Sequence, residues 1–286
     1  MATLLALKSR IKTAKNVSKT TKAMQMIAAS KLKRAQEATL SSRPYAQKLS
    51  VLSQNLLNKL PEENIHEYMK KNTNEEGKTL LVVFAPEKGL CGALNTNMVN
   101  ELSRLNKDLL YIVTIGKKIE SSVKFMQNTV IASFPLGTTI PQFSMVFPLL
   151  QIIDDYFLNR KVNKVQILFP KFTSLFTQSP KLETLLPIEI SQDKIEESSS
   201  FTVFEPQPQD ILPSLLRHYL EILIHQYLME TYLSEQGSRM LSMKNATDNA
   251  AEIIESLQLE YNKSRQEKIT SELLNTGGAT SLFAYE

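Results

Sequence analysis

The residues that could do chemistry in this sequence are few and widely spaced. Cys91 is the single cysteine, and a cysteine nucleophile needs a neighbouring base that takes its proton. The histidines that could act as that base are distant along the chain: His66, His218 and His225. The last two are seven residues apart on one predicted helix face, which supplies too few ligands for a metal site. The sequence therefore predicts a buried, inert thiol and a chain with no catalytic and no metal-binding residues.

The turn around that cysteine, PEKGLCGALN over Pro86–Asn95, is a candidate phosphate-binding loop. Its Gly89 and Gly92 match G-x-G-x-x-G poorly, and no G-x-x-x-x-G-K-[ST] motif occurs in the chain. Two glycines after a strand more often form a tight turn than a phosphate cradle. We therefore expect no cofactor, and an enzyme of the doubly wound class ranks third among the function classes considered.

The elements that carry this turn predict a compact α/β domain. A continuous apolar strand over Leu80–Ala85 begins the domain, and further apolar strands alternate with helices. Such alternation indicates a mostly parallel sheet with helices on its faces. The further predictions are helices over Asn95–Lys107, Lys117–Gln127 and Gln142–Asn159 with a kink at Pro148, strands over Leu109–Ile115, Thr129–Phe134 and Lys164–Phe169, irregular strands or a hairpin over Leu175–Ile190, and a linker over Ser191–Gln209.

The last third of the chain predicts one very long helix, from Asp210 to about Asn275. Asp210 is the expected N-cap, and Gly277 and Gly278 are expected to end the helix. About 65 helical residues are roughly 100 Å long, so we expect this rod to protrude and to lie against a partner helix. Beyond Gly237 the contact positions step by three and four alternately, which is the seam of a left-handed coiled coil: Met240, Met243, Thr247, Ala250, Ile254, Leu257, Tyr261 and Ser264.

The predicted partner helix runs from Thr3 to about Leu57, and Pro44 is expected to kink or divide it. No acidic residue precedes Glu37, so the first half of this helix is strongly basic. The predicted stripe contains Leu4, Leu7, Ile11, Ala14, Val17, Thr21, Met24, Ala28, Leu32 and Ala35. The basic residues beside it are Lys8, Arg10, Lys12, Lys15, Lys19, Lys22, Lys31, Lys33 and Arg34.

Composition narrows the function classes. The net charge of +4 is concentrated at the N-terminus, which suggests a basic surface that faces an acidic partner. One cysteine excludes an internal disulfide framework, and no apolar run is long enough to span a membrane.

A nucleic-acid-binding coiled coil is the main competitor from another class. Against it, no aromatic residue interleaves the lysines, and five glutamates of the second helix would repel phosphate: Glu252, Glu255, Glu260, Glu267 and Glu272.

Four stretches of the chain resemble the gamma subunit of F-type ATP synthases, the central rotor shaft, and their order and spacing agree over essentially the whole chain. They are TTKAMQMIAASKLKRAQ (Thr20–Gln36) with SRPYA (Ser42–Ala46), KGLCGALN (Lys88–Asn95), SRMLSMKNATDNA (Ser238–Ala250) and LEYNKSRQEKIT (Leu259–Thr270). The chain departs from the family pattern after ITSE, where the closing glycine and alanine come one residue early and Thr280–Glu286 is additional.

The resemblance implies an α/β protein with a long antiparallel two-helix coiled coil made by the two termini and a central Rossmann-like α/β domain. The corresponding segments are residues 1–60, 78–195 and 209–276. It also implies a non-catalytic rotor subunit that couples ion flow through a membrane c-ring to ATP synthesis or hydrolysis in an alpha/beta ring. The expected partners are the alpha, beta and epsilon subunits and the c-ring, with no nucleic acid and no membrane span of its own. The implied location is peripheral, on the cytoplasmic face of a bacterial membrane, and a gamma-like rotor of a dedicated ATP-driven motor stays open.

The resemblance also implies roles for single residues. Met24 and its basic neighbours match the family segment that meets an acidic loop of the beta subunit, and Lys8 and Arg10 lie where basic residues can reach the ring. The remaining predicted rotor–stator contacts match family positions that matter for coupling: Arg239, Gln266, Thr270 and Glu272. Each position also has a plain structural interpretation. The lysines could form a solvated face, Met24 could pack in the seam, and Arg239 could form an exposed helix pair with Glu235.

Overall fold

A computed structural model of the chain describes residues 4–57, 66–72, 77–106, 109–127, 129–188 and 205–282. These residues form two compact units. One comprises the described residues within 1–27 and 240–286, and the other comprises the described residues within 28–239. The helices are α1 (Leu4–Leu57), α2 (Leu94–Ser103), α3 (Glu120–Phe125), α4 (Val146–Leu158) and α5 (Pro208–Leu282). The strands are β1 (Thr79–Phe84), β2 (Leu110–Ile115), β3 (Thr129–Phe134), β4 (Lys164–Phe172) and β5 (Gln178–Leu186).

The larger unit contains a five-stranded sheet of order β3-β2-β1-β4-β5. The first four strands are parallel, and β5 pairs antiparallel with β4. The chain runs outward from β1 to β2 and β3 and then returns to the other side of β1 as β4. The strand order therefore reverses between β1 and β4, which is the topological switch point of a doubly wound sheet. The predicted parallel sheet is confirmed, and the segment predicted as irregular strands or a hairpin forms the antiparallel β5.

The central strand β1 is buried along its whole length because its two faces belong to two separate parts of the core. Leu80, Val82 and Phe84 pack into one hydrophobic cluster, whose other members come largely from α4 and the first part of α5. The alternate residues pack into a second cluster with side chains of α2 and α3. Side chains of a strand alternate between its faces, so a continuous apolar run is required where both faces are covered.

Two prolines that were predicted to kink or divide their helices, Pro44 and Pro148, lie within helices in the structure. Pro44 lies inside α1, which runs undivided through it, so the predicted division near this residue is wrong. Pro148 lies in the first turn of α4, where the missing N–H would have no helical partner. The predicted kink there is replaced by a short 3₁₀ turn, Phe143–Met145, that precedes the helix.

The last helix begins and ends elsewhere than predicted. It begins at Pro208, so Asp210 lies inside its first turn instead of capping it. It also continues past Gly277 and Gly278 to Leu282. Glycine in a helix interior costs about 1 kcal/mol relative to alanine, which weakens a helix without compelling it to stop. Most of the predicted linker, from Ser191 onward, lies outside the described residues, and the segment boundaries proposed from the sequence stay predictions.

The smaller unit pairs the beginning of α1 with the end of α5. Thr21 Oγ1 lies 2.7 Å from Thr247 Oγ1, although 226 residues separate them in sequence. All eight predicted seam positions of α5 are buried or half-buried, from Met240 to Ser264, as the 3.5-residue period requires. One position of the α1 stripe was predicted wrongly. Val17 is 47 % exposed and Ser18 is half-buried in its place, because the step from Ala14 is four residues instead of three.

Candidate functional site

The turn that follows β1 is held in a fixed shape by close backbone contacts with the next parallel strand. Gly116, directly after β2, has a φ of 98°, and a Cβ atom there would lie 2.1 Å from the carbonyl oxygen of Ala85. Only glycine fits such an approach without a shift of the backbone. The N–H of Lys118 donates to the carbonyl of Pro86 at 3.2 Å. Within the turn, Leu90 and Gly92 both adopt positive φ, and Leu90 is 61 % exposed.

Arg239 of α5 binds this turn through its backbone carbonyls. Its Nη2 donates to the carbonyls of Lys88 at 3.0 Å and Gly89 at 3.1 Å, and its Nε lies 3.3 Å from the second carbonyl. The neighbouring Ser238 hydroxyl donates to the carbonyl of Cys91 at 2.6 Å. Two sets of residues that the sequence singled out separately, Arg239 and the glycine-containing turn, therefore form one site.

Glu235, one helical turn before Arg239, completes this contact. Its Oε1 accepts from Arg239 Nη2 at 2.6 Å, and its Oε2 accepts from the backbone N–H of Glu87 at 2.8 Å. The side chains are 3 % and 10 % exposed for Glu235 and Arg239. The interpretation of this pair as an exposed helix pair is wrong, because both groups are enclosed between the helix and the turn. The i,i+4 spacing predicts that Glu235 and Arg239 pair. Nothing in the sequence predicts that the pair is buried, because the residues around it are polar.

The same part of α5 also binds the end of β4. The Ser234 hydroxyl donates to the carbonyl of Pro170 at 2.8 Å, and the N–H of Phe172 donates to Glu230 Oε1 at 3.2 Å. Residues 230–239 thus lie across the carboxyl ends of β1 and β4, on both sides of the switch point. Doubly wound enzymes bind nucleotides in the crevice at this position. Here side chains of the chain's own helix take that place.

Cys91 is buried at 3 % exposure, as predicted. Its Sγ lies 3.7 Å from the carbonyl of Lys88, to which the thiol donates weakly. Burial raises the pKa of the Cys91 thiol, and the nearby guanidinium of Arg239 opposes that rise only in part. A thiol with a raised pKa is a poor nucleophile at neutral pH, since the thiolate is the reactive form.

The three histidines do not converge. His218 Nε2 lies 2.8 Å from the Tyr45 hydroxyl, and its Nδ1 lies 3.1 Å from Glu221. The ring of His225 packs against Phe143, and burial lowers the pKa of His225. Burial also lowers the pKa of His66, which caps the 3₁₀ turn that follows it. Among the described residues, no group of three or more histidine, cysteine or carboxylate side chains could hold a metal ion.

The other predicted contact residues lie in the smaller unit, on the surface of the paired helices. Lys8 and Arg10 are exposed on α1, and Met24 is half-buried. On α5, the side chains of Gln266, Thr270 and Glu272 are exposed. Arg239 differs from this set because its polar atoms are used within the larger unit. In the described part of the chain, no helix is both long and apolar enough to cross a membrane.

Comparisons with known proteins match the chain over nearly its full length. A family model described as ATP synthase covers residues 3–282. The ATP synthase gamma chain of Polynucleobacter asymbioticus is 36 % identical, over 99 % of this chain and all of that protein. The corresponding chain of Trichlorobacter lovleyi is 35 % identical over 99 % of both. Among solved structures, a chain of the Euglena gracilis mitochondrial ATP synthase OSCP/F1/c-ring assembly superposes with a TM-score of 0.71. It is 17 % identical, with 98 % of this chain and 94 % of that chain covered, so this likeness concerns the fold.

Proposed function

The chain belongs to the ATP synthase gamma chain family, and on this premise we propose that it is the central-stalk rotor subunit of a rotary ATP synthase. It couples ion flow through a membrane c-ring to ATP synthesis or hydrolysis in a ring of alpha and beta subunits. The observation that carries the proposal is the pairing of the two chain ends, in which the hydroxyls of Thr21 and Thr247 meet across the seam. A paired-helix shaft resists bending and twisting better than a single helix, and a rotor needs that stiffness.

The exposed cations of α1 supply the surface that meets the ring. From Lys8 to Lys22 each lysine and arginine is exposed, and no ion pair among the described residues involves any of them. Unpaired charges attract an acidic partner over about 10 Å at moderate ionic strength, and salt screens that attraction. The acidic loop of the beta subunit is the partner that fits this surface, with half-buried Met24 at its edge. The rotor–ring attraction is therefore expected to weaken as salt rises.

The last part of α5 supplies a further exposed surface of the proposed shaft. Gln266, Thr270 and Glu272 are exposed there, and the Thr270 hydroxyl donates to the carbonyl of Gln266 in its own helix at 2.9 Å. Glu272 also pairs with Lys268 at 3.7 Å, and a partner can reach all three exposed side chains as the shaft turns. We assign these three residues to rotor–stator contact, and the epsilon subunit and the c-ring are the further proposed partners.

The larger unit acts as the body that delivers torque to α5. Residues 230–239 bind the ends of β1 and β4 through Glu230, Ser234, Glu235, Ser238 and Arg239. A rotation of the sheet therefore moves the helix with it. The chain itself carries no active site in this proposal: the catalytic sites belong to the beta subunits, and the chain is a peripheral component on the cytoplasmic face of a bacterial membrane.

Reconstitution tests this function. The purified chain is added to a complex of alpha and beta subunits from a related bacterium, and ATP hydrolysis is measured with and without it. The proposal predicts stable association and a rise in ATP turnover, both reduced when Lys12, Lys15 and Lys19 are replaced by glutamate. Association without any change in turnover, or no association at low salt, would overturn it.

A control in the same experiment covers the main competitor. If the chain were a nucleic-acid-binding coiled coil, it would retain DNA or RNA in a gel-shift assay at low salt, and retention would fall steeply with salt. The gamma-like rotor of a dedicated ATP-driven motor would give a different result. Its complex would rotate when ATP is supplied but would not make ATP from an ion gradient in membrane vesicles.

A further inference from the structure

Glu235 and Arg239 of α5 contact the turn of residues 87–91, and we call this contact the joint between α5 and the sheet of the larger unit. We propose that Glu235 is the positioning residue of this joint. It holds Arg239 against the turn of residues 87–91, and so keeps that turn fixed on the helix while torque passes between them. The proposal rests on the rotor function above, and it adds a residue that the sequence comparison with the family did not single out. Glu235 acts through Arg239 and through the turn, without contact with nucleotide or with the reacting phosphate.

The geometry assigns this role because one carboxylate serves both partners. Glu235 Oε2 accepts the backbone N–H of Glu87, and its Oε1 accepts Arg239 Nη2. Arg239 in turn donates to the next two carbonyls, those of Lys88 and Gly89. Three consecutive residues of the turn are thus bound by two side chains that lie one helical turn apart. Hydrogen bonds in which one or both groups are charged are roughly twice as strong as neutral ones.

Because the Glu235–Arg239 pair is buried, we expect it to fix the position of the turn more than to add to the stability of the fold. The side chains of Glu235 and Arg239 are 3 % and 10 % exposed, so both charges have lost most of their water. The desolvation of such a pair can cancel its Coulombic attraction, which makes a buried ion pair weak evidence for stability. A flexible arginine that lost its carboxylate partner would retain its charge but would no longer be held in one rotamer. The expected consequence is a turn that moves relative to α5.

The position along α5 fits a mechanical role. Ser234 and Ser238, on either side of Glu235, bind the carbonyls of Pro170 and Cys91. The same two turns of α5 therefore bind both the turn after β1 and the end of β4. Arg239 is also the last residue of the larger unit, since the chain enters the smaller unit at Met240.

The single cysteine supplies a direct test on the isolated full-length chain. Cys91 lies within the turn, and the reaction of its thiol with a disulfide reagent reports how often the turn opens. Glu235→Gln keeps the size of the side chain and removes its charge, and we expect it to speed labelling by at least about tenfold under conditions where the protein stays folded. Arg239→Lys keeps the charge but cannot hold two carbonyls, and we expect an increase of about threefold or more.

A matched control uses an exposed pair in the same unit. Glu101 pairs with Arg104, whose side chain is 74 % exposed, and Glu101→Gln should leave the labelling rate of Cys91 unchanged. Circular dichroism and thermal unfolding of each variant show that the fold is intact. If Glu235→Gln and Arg239→Lys both label at the wild-type rate, the turn does not depend on the joint and the proposal is wrong.

A second measurement links the joint to coupling. The complex is reassembled on membrane vesicles that carry the c-ring, and ATP hydrolysis and proton pumping are measured together. We expect Glu235→Gln to leave ATP turnover within about twofold and to lower pumping per ATP by about fivefold or more, since slippage at the joint loses torque and not catalysis. An unchanged pumping ratio would contradict the role in coupling. Failure of the wild-type chain to raise ATP turnover would contradict the rotor function instead, whatever the Cys91 result.

Discussion

Thr21 Oγ1 and Thr247 Oγ1 lie 2.7 Å apart, and each hydroxyl also contacts a carbonyl of its own helix. Thr21 contacts Ser18 at 3.1 Å, and Thr247 contacts Met243 at 2.8 Å. Two hydroxyl protons must serve these three contacts, so the bond across the seam competes with a bond inside one helix. The pair ties residues from the two ends of the chain into one polar contact within the seam.

Because of that competition, removing the hydrogen bond between Thr21 and Thr247 should have a modest and non-additive effect on the free energy of unfolding. Thr247→Val should lower the free energy of unfolding by about 0.5–1 kcal/mol, because Thr21 keeps its contact with Ser18. The double variant with Thr21→Val should cost little more than the single one, since two valines leave no buried polar atom unpaired. Urea unfolding followed by circular dichroism measures both. Thr20→Val is the matched control, because the exposed Thr20 contacts only its own helix at Asn16.

Gly116 is predicted to be the least replaceable glycine described in the larger unit. In Gly116→Ala the new Cβ would meet the Ala85 carbonyl oxygen at 2.1 Å, where φ is already 98°. We expect a loss of about 3 kcal/mol or more in unfolding free energy. Gly137 has a φ of 82° but no heavy atom within 4 Å of a built Cβ, so Gly137→Ala should cost about 1 kcal/mol. Equal losses in the two variants would show that the close approach is not present in solution.

The contribution of His225 to the stability of the protein is predicted to be lost on mild acidification. Burial lowers the pKa of His225 below its usual 6.5, so the unfolded chain binds a proton at a higher pH than the folded chain does. The contribution of His225 is therefore complete above about pH 6.5 and is lost as the pH falls from there toward the folded pKa, by at most about 1.4 kcal/mol per pH unit. His225→Gln should flatten this part of the stability curve.

The carboxyl groups do not obscure that comparison. Burial raises the pKa of Asp154 and Glu230, so protonation of these groups favours the folded state and has the opposite sign. Both residues are present in the wild-type chain and in His225→Gln, and the difference between the two curves isolates the histidine. A variant that loses stability on acidification as steeply as the wild type would rule out His225 as the cause.

The exposed residues near the end of α5 are predicted to affect the activity of the complex but not the stability of the chain. Gln266→Ala and Thr270→Ala should change the unfolding free energy by no more than about 0.5 kcal/mol, since both side chains are exposed. In the reconstituted complex, the same variants should lower the activation of ATP hydrolysis severalfold. Lys263→Ala, at an exposed position of the same helix that was not assigned to the contact, is the control. Wild-type activation in both variants would remove these residues from the proposed contact.

The sequence predicted the architecture well where periodicity carries the information. The 3.5-residue period placed every seam residue of α5 from Met240 to Ser264, and the continuous apolar run placed β1. Periodicity could not predict the joint. Glu235 and Arg239 are polar, and nothing in a single sequence shows that a turn 150 residues away encloses them. Helix ends were also misplaced, because glycine and proline lower helix stability by amounts that the rest of a long helix can offset.

Single-molecule rotation tests the central claim most directly. Phe125 is 90 % exposed, and Phe125→Cys in a Cys91→Ser chain provides one site for an optical probe on the reconstituted complex with immobilised alpha and beta subunits. The rotor account predicts that the probe turns stepwise in one direction when ATP is supplied and stops when ATP is removed. A complex that hydrolyses ATP at the activated rate while its bound probe stays at a fixed angle would contradict the account.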